Sequence, residues 1–120
     1  GREVGDGKYD IVFGWRVEPA YTNLLNGPEL EIADAAEKPV EGLDETLKLE
    51  VSYGGKTKLL KLRAVADSAG HYTSDLIPTQ PGDYSFHLTG TIGDVTVDET
   101  FDSSKGEFSS VDPITDIQFP

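Results

Sequence analysis

Between residues 9 and 17 every second side chain is apolar: Tyr9, Ile11, Phe13, Trp15 and Val17 in "KYDIVFGWRV". A spacing of two is that of a pleated strand, so this run predicts a half-buried strand with Lys8, Asp10, Arg16 and Glu18 on its outer face. The pattern returns in "ELEIA", where Leu30 and Ile32 point inward, and in "TLKLEVSY", where Leu47, Leu49, Val51 and Tyr53 do. "KTKLLKLR", "HYTSDLI", "DYSFHLTG" and "DVTVDETF" continue it. Gly54-Gly55 separates two of these runs and reads as a hairpin, because both central residues of a type I′ turn need positive φ. Helix-like windows near 33–37 and 43–47 are too short to matter. Strands with no crossover helices imply an all-β fold, here a seven-stranded antiparallel immunoglobulin-like β-sandwich over residues 1–102. Residues 103–120 carry only scattered apolar side chains and are expected to be a C-terminal extension or linker.

The stretch "AGHYTSDLIPTQPGDYSF", residues 69–86, sets a metal site against a sandwich corner. Tyr72 and Leu76 fall on the inward parity of the first strand, and Tyr84, Phe86 and Leu88 on that of the second. His71, Thr73 and Asp75 then face outward, as do Ser85, His87 and Thr89. Pro78, Pro81 and Gly82 suit the crossing between sheets, and Tyr84 sits where a tyrosine corner belongs. Asp83 is expected to cap the turn. His71 and His87, the weak metal candidates, would lie on opposite outer surfaces about 10 Å of sheet spacing apart, so no shared ion is expected. No resident metal or cofactor is expected.

The formal net charge of −12 disfavours nucleic acid and anionic lipid as partners. Its distribution is uneven: residues 46–63 carry +4 and the rest of the chain −16. Lys48, Lys56, Lys58, Lys61 and Arg63 make up the basic hairpin and are the candidate partner-binding residues, for an acidic protein partner. Cysteine and methionine are absent, which removes thiolate chemistry and the thioether ligands copper(I) prefers. No nucleophile elbow, glycine-rich phosphate loop or EF-hand spacing is present, and no enzymatic activity is expected. Asp6, Asp94, Asp102 and the Asp34–Glu37 pair are the acidic loop positions a calcium ion would use. No apolar run approaches the ~20 residues needed to span a bilayer, so a membrane association would need an anchor outside this chain.

The layout "NGPELEI…KPVEGL…LKLEVSYGG…GHYTSDLIPTQPGDYSFHLTGTI…ETF" resembles that of small extracytoplasmic immunoglobulin-like domains of the YtkA-like kind. These are similar in layout to the copper-resistance C proteins. The resemblance covers about residues 9–101, and its motifs are structural. It implies an exported domain, periplasmic or on the cell surface, and resembles ectodomains tethered by a C-terminal membrane helix beyond a closing Phe-Pro like Phe119-Pro120. The family's copper ligands, an N-terminal histidine with further histidines or methionines, are not matched. The expected function is a non-enzymatic extracytoplasmic spacer or protein-interaction module. The alternative is an extracytoplasmic metal-handling domain for copper or calcium.

Overall fold

The seven alternating runs are all strands in the computed structural model, which describes residues Gly1–Pro120. They are β2 (Tyr9–Trp15), β4 (Pro28–Asp34), β5 (Leu47–Tyr53), β6 (Lys56–Leu60), β8 (His71–Thr73), β9 (Ser85–Ile92) and β10 (Val95–Asp102). Four short segments join them: β1 (Arg2–Val4), β3 (Ala20–Tyr21), β7 (Arg63–Ala64) and β11 (Val111–Asp112). The only helical turns are three short 3-10 segments.

One sheet has the order β1-β2-β4-β8-β7 and the other β10-β9-β5-β6, with antiparallel pairing throughout both. Apart from β1 this is the A-B-E-D and G-F-C-C′ arrangement of an immunoglobulin-like sandwich. Ile11, Trp15, Leu30, Ile32 and Tyr72 project from the first sheet onto Leu47, Leu49, Val51, Phe86, Leu88, Val97 and Phe101 from the second. Burying each such side chain stabilises the fold by roughly 1.5–3 kcal/mol before chain entropy is set against it. Aromatic rings fill one end of the core. Phe13 stacks on Phe101 at 4.5 Å, while Trp15 meets Phe86 and Tyr84 edge-on at 5.4 and 5.9 Å.

The corner is built as its sequence implies. Tyr84 Oη donates to the Gln80 carbonyl at 2.7 Å, closing the crossing between β8 and β9. Asp83 holds more than a local turn: its Oδ1 accepts from Ser103 Oγ, which in turn accepts from the Tyr84 amide. His71 lies in one sheet and His87 in the other, so they do not share a site.

Three expectations are corrected. Val17 is 51% exposed, because β2 ends at Trp15 and the chain turns away under the Asn26 side chain. Thr73 lies on the outer parity but is buried, since Arg16 crosses over it and donates to its hydroxyl at 2.7 Å. The break placed at residue 102 is not a structural boundary. Phe108 and Val111 belong to the core, Trp15 Nε1 donates to the Ser109 carbonyl at 2.7 Å, and β11 pairs with β3 in parallel. A thin apolar pattern reads as linker, yet one aromatic ring inserted between two sheets is enough to fix a segment.

Candidate functional site

The register of the β5–β6 hairpin decides where the five basic side chains go. Lys58 pairs with Val51 and Lys56 with Tyr53, so both lysines share the parity of inward-facing residues. β6 is the free edge of its sheet, and there their stems line a groove rather than the core. Lys48 is on the opposite, outer face, paired with Thr89. Lys61 is in the link between β6 and β7, and Arg63 belongs to the other sheet.

Arg63 is also occupied. Its guanidinium grips Asp75 through two hydrogen bonds, of 2.7 and 3.2 Å, and Arg16 reaches the same carboxylate at 3.1 Å. Arg63's hydrogen bond, assisted by both positive charges, holds the Asp75 carboxyl below its ordinary pKa. Lys48, Lys56, Lys58 and Lys61 have no carboxylate within 4.0 Å. The basic hairpin is therefore not a single charged face: Lys56 and Lys58 are free at the sheet edge, while Lys48 is free on the outer face of β5 and Lys61 in the link after β6.

The groove beside that edge has a volume of about 420 Å³. Val51, Tyr53 and Tyr84 form its inner wall, and Leu76, Ile77 and Pro78 face them from the crossing segment. Tyr53 and Tyr84 pack ring to ring at 4.8 Å, and Tyr53 Oη donates to the Pro81 carbonyl at 2.9 Å. The wall is thus pinned at both tyrosines. Ile77 remains 54% exposed beside the groove, and Leu59 is 63% exposed on the other face of β6. Sequence parity could not show this groove, because its second wall is the crossing segment, residues 76–80, which strand alternation does not describe.

The loop carboxylates singled out for calcium do not converge. Asp34 Oδ1 accepts the Ala36 and Lys38 amides, and Asp102 accepts from the Ser104 amide and hydroxyl. Those bonds from Ser104 keep the Asp102 carboxyl below its ordinary pKa. Asp94 approaches only Lys8, at 3.9 Å. His87 Nε2 meets Asp98 at 2.5 Å in an exposed pair on the outer face of the second sheet. His71 is different. It lies beside Glu29 and Glu31 on the outer face of the first sheet, a grouping the sequence reading missed because the three residues meet only across the β4–β8 pairing. Ser68 Oγ, three residues before His71, lies 3.2 Å from its Nδ1, and Glu29 Oε2 lies 3.3 Å from its Nε2.

No family model matches the chain, and no curated protein matches it. Among solved structures it is similar to the CARDB domain of a Pyrococcus furiosus protein, determined in complex with di-metal ions. The two are 18% identical with a TM-score of 0.37, over 93% of this chain and 94% of that one. What stands of the layout resemblance is the immunoglobulin-like sandwich itself.

Proposed function

We propose that this sandwich is a non-enzymatic interaction module of an exported protein, and that it binds an extended, acidic segment of a partner protein along β6. The observation that carries this reading is the apolar groove beside a free strand edge, with the unpaired Lys56 and Lys58 lining it. A free edge offers main-chain hydrogen bonds to an added strand, and a flanking groove accepts every second side chain. Lysines along an edge also discourage pairing with another neutral strand, so they select for a strand that brings carboxylates. The charge distribution supports the same partner, since Lys56 and Lys58 line the groove without a carboxylate within 4.0 Å. The exported location follows the layout resemblance, and cell fractionation of the full-length protein tests it.

The binding proposal is tested by calorimetry with a synthetic peptide in which valine and glutamate alternate. Combined Lys56→Ala and Lys58→Ala should weaken binding by between roughly twofold and thirtyfold, the span of two exposed charge pairs. Raising the salt from about 0.05 to 0.5 M should weaken it further in the parent chain than in the variant. Equal binding of a valine–lysine peptide would remove the charge argument. Self-association that the lysine substitutions abolish would make the occupant a second copy of the chain instead.

A further inference from the structure

The outer face of the first sheet holds a convergence of side chains unrelated to the groove. Glu29 and Glu31 are two residues apart on β4 and so share that face, and β8 sets His71 directly across from Glu31. The register is fixed by Gly70, whose φ of 73° and close approach to β4 leave no room for a side chain: a Cβ there would sit 2.7 Å from the Ile32 carbonyl oxygen. One ligand atom from each of Glu29, Glu31 and His71 lies within 4.8 Å of the other two. Glu29 Oε2 is 3.3 Å from His71 Nε2.

Two further features separate this group from an ordinary acidic surface. No lysine or arginine neutralises it: Glu31 has no ion pair, and the one ion pair of Glu29 is with His71. In addition, His71 Nε2 is shut off from solvent and, although Glu29 Oε2 stands 3.3 Å away, is not aligned with it for a hydrogen bond, while the ring's other nitrogen, Nδ1, lies 3.2 Å from Ser68 Oγ. With the Nδ1 proton donated to Ser68, the Nε2 lone pair faces two carboxylates, and three acceptors meet with no donor among them. In that tautomer a cation at the common centre bonds all three acceptors, whereas the other tautomer turns Nε2–H toward Glu29 without a metal.

We propose that Glu29, Glu31 and His71 form a site for one divalent transition-metal ion of the zinc type. An imidazole nitrogen beside carboxylates suits zinc, cobalt or nickel, whereas calcium takes oxygen ligands and copper(I) prefers sulfur. Ligand atoms around a tetrahedral zinc with bonds of about 2.0–2.1 Å lie roughly 3.3 Å apart, the spacing already held by Glu29 and His71. Glu31, exposed at the sheet surface, closes the remaining gap by side-chain rotation. Three protein ligands leave the outward position to water. Ser68 fixes the ring from behind, the role that outer hydrogen-bond partners of ligating histidines have elsewhere.

Calorimetric titration of the full chain with zinc chloride at neutral pH tests this site. The parent should bind one ion per chain, and Glu31→Gln and His71→Gln should each weaken binding at least tenfold. His87→Gln, on the other sheet, should leave it unchanged. Circular dichroism checks that each variant folds, and Glu31→Gln, at an exposed position, decides alone if His71→Gln does not. No binding by the parent would overturn the proposal and leave only the contact between His71 and Glu29. So would a loss smaller than tenfold in Glu31→Gln, or an equal loss in His87→Gln. None of these outcomes bears on the β6 groove, which the valine–glutamate peptide tests separately.

Discussion

Asn26 is 2% exposed, and its amide spends both ends on the backbone. Oδ1 accepts from the amides of Val17 and Gly27, and Nδ2 donates to the Val17 carbonyl, each at 2.9 Å. Replacing it with alanine strands buried backbone groups, so Asn26→Ala should cost about 2–4 kcal/mol in chemical denaturation. The pair Asn26-Gly27 reads in the sequence as punctuation. Its real task needs Val17, nine residues upstream, and Ser74, whose carbonyl occupies the space a Cβ on residue 27 would take. Tyr72 and Tyr84 were legible as inward-facing, and their hydroxyls show what that entails. Burial raises the pKa of both, while each donates to a carbonyl, Tyr72 to Val40 at 2.6 Å and Tyr84 to Gln80 at 2.7 Å. A hydroxyl whose folded pKa lies above its unfolded value of about 10 stabilises the fold below that pH, and the contribution is lost as pH rises through the folded pKa. The melting temperature should therefore fall above about pH 10. The double variant Tyr72→Phe/Tyr84→Phe should start lower and fall less over the same range.

Among the elements, alternation identified all seven principal strands and, for all but β6, the face that is buried. It could not say where a face stops being covered. Val17 keeps the inward parity of β2 after the strand has ended, and Lys56 and Lys58 keep that of β6 where no second sheet lies opposite. The same limit hid the part played by residues 103–112. Phe108 packs against Phe13, Trp15 and Phe86 at ring distances of 5.2 to 5.9 Å, and Arg2 ties β1 to both Glu99 and Glu107. One phenylalanine in a polar stretch has no periodicity from which this could be read. Phe108→Ala should cost about 3–5 kcal/mol in chemical denaturation. Truncation after residue 102 should lower the melting temperature by more than that single substitution does. Truncation after 112 should do much less, because residues 113–120 contribute nothing to the buried core.

At the scale of the whole molecule, the two candidate sites lie on different sheets. The lysine-lined groove follows the free edge of β10-β9-β5-β6, and the Glu29–Glu31–His71 group lies on the outer face of β1-β2-β4-β8-β7. The sequence showed the basic island as charge, but only the hairpin register divides it into groove-lining lysines, an outer Lys48 and an Arg63 already held by Asp75. His71 was legible as outward-facing, whereas its carboxylate neighbours depend on a strand pairing across some forty residues of chain. The central claim is that β6 and its groove are the working surface. Mapping amide chemical shifts by NMR during titration with the valine–glutamate peptide tests it most directly. The account predicts shifts concentrated in β6 and residues 76–80 that disappear in the Lys56→Ala/Lys58→Ala variant. Shifts scattered over the chain, or gathered on the outer face of either sheet, would contradict it.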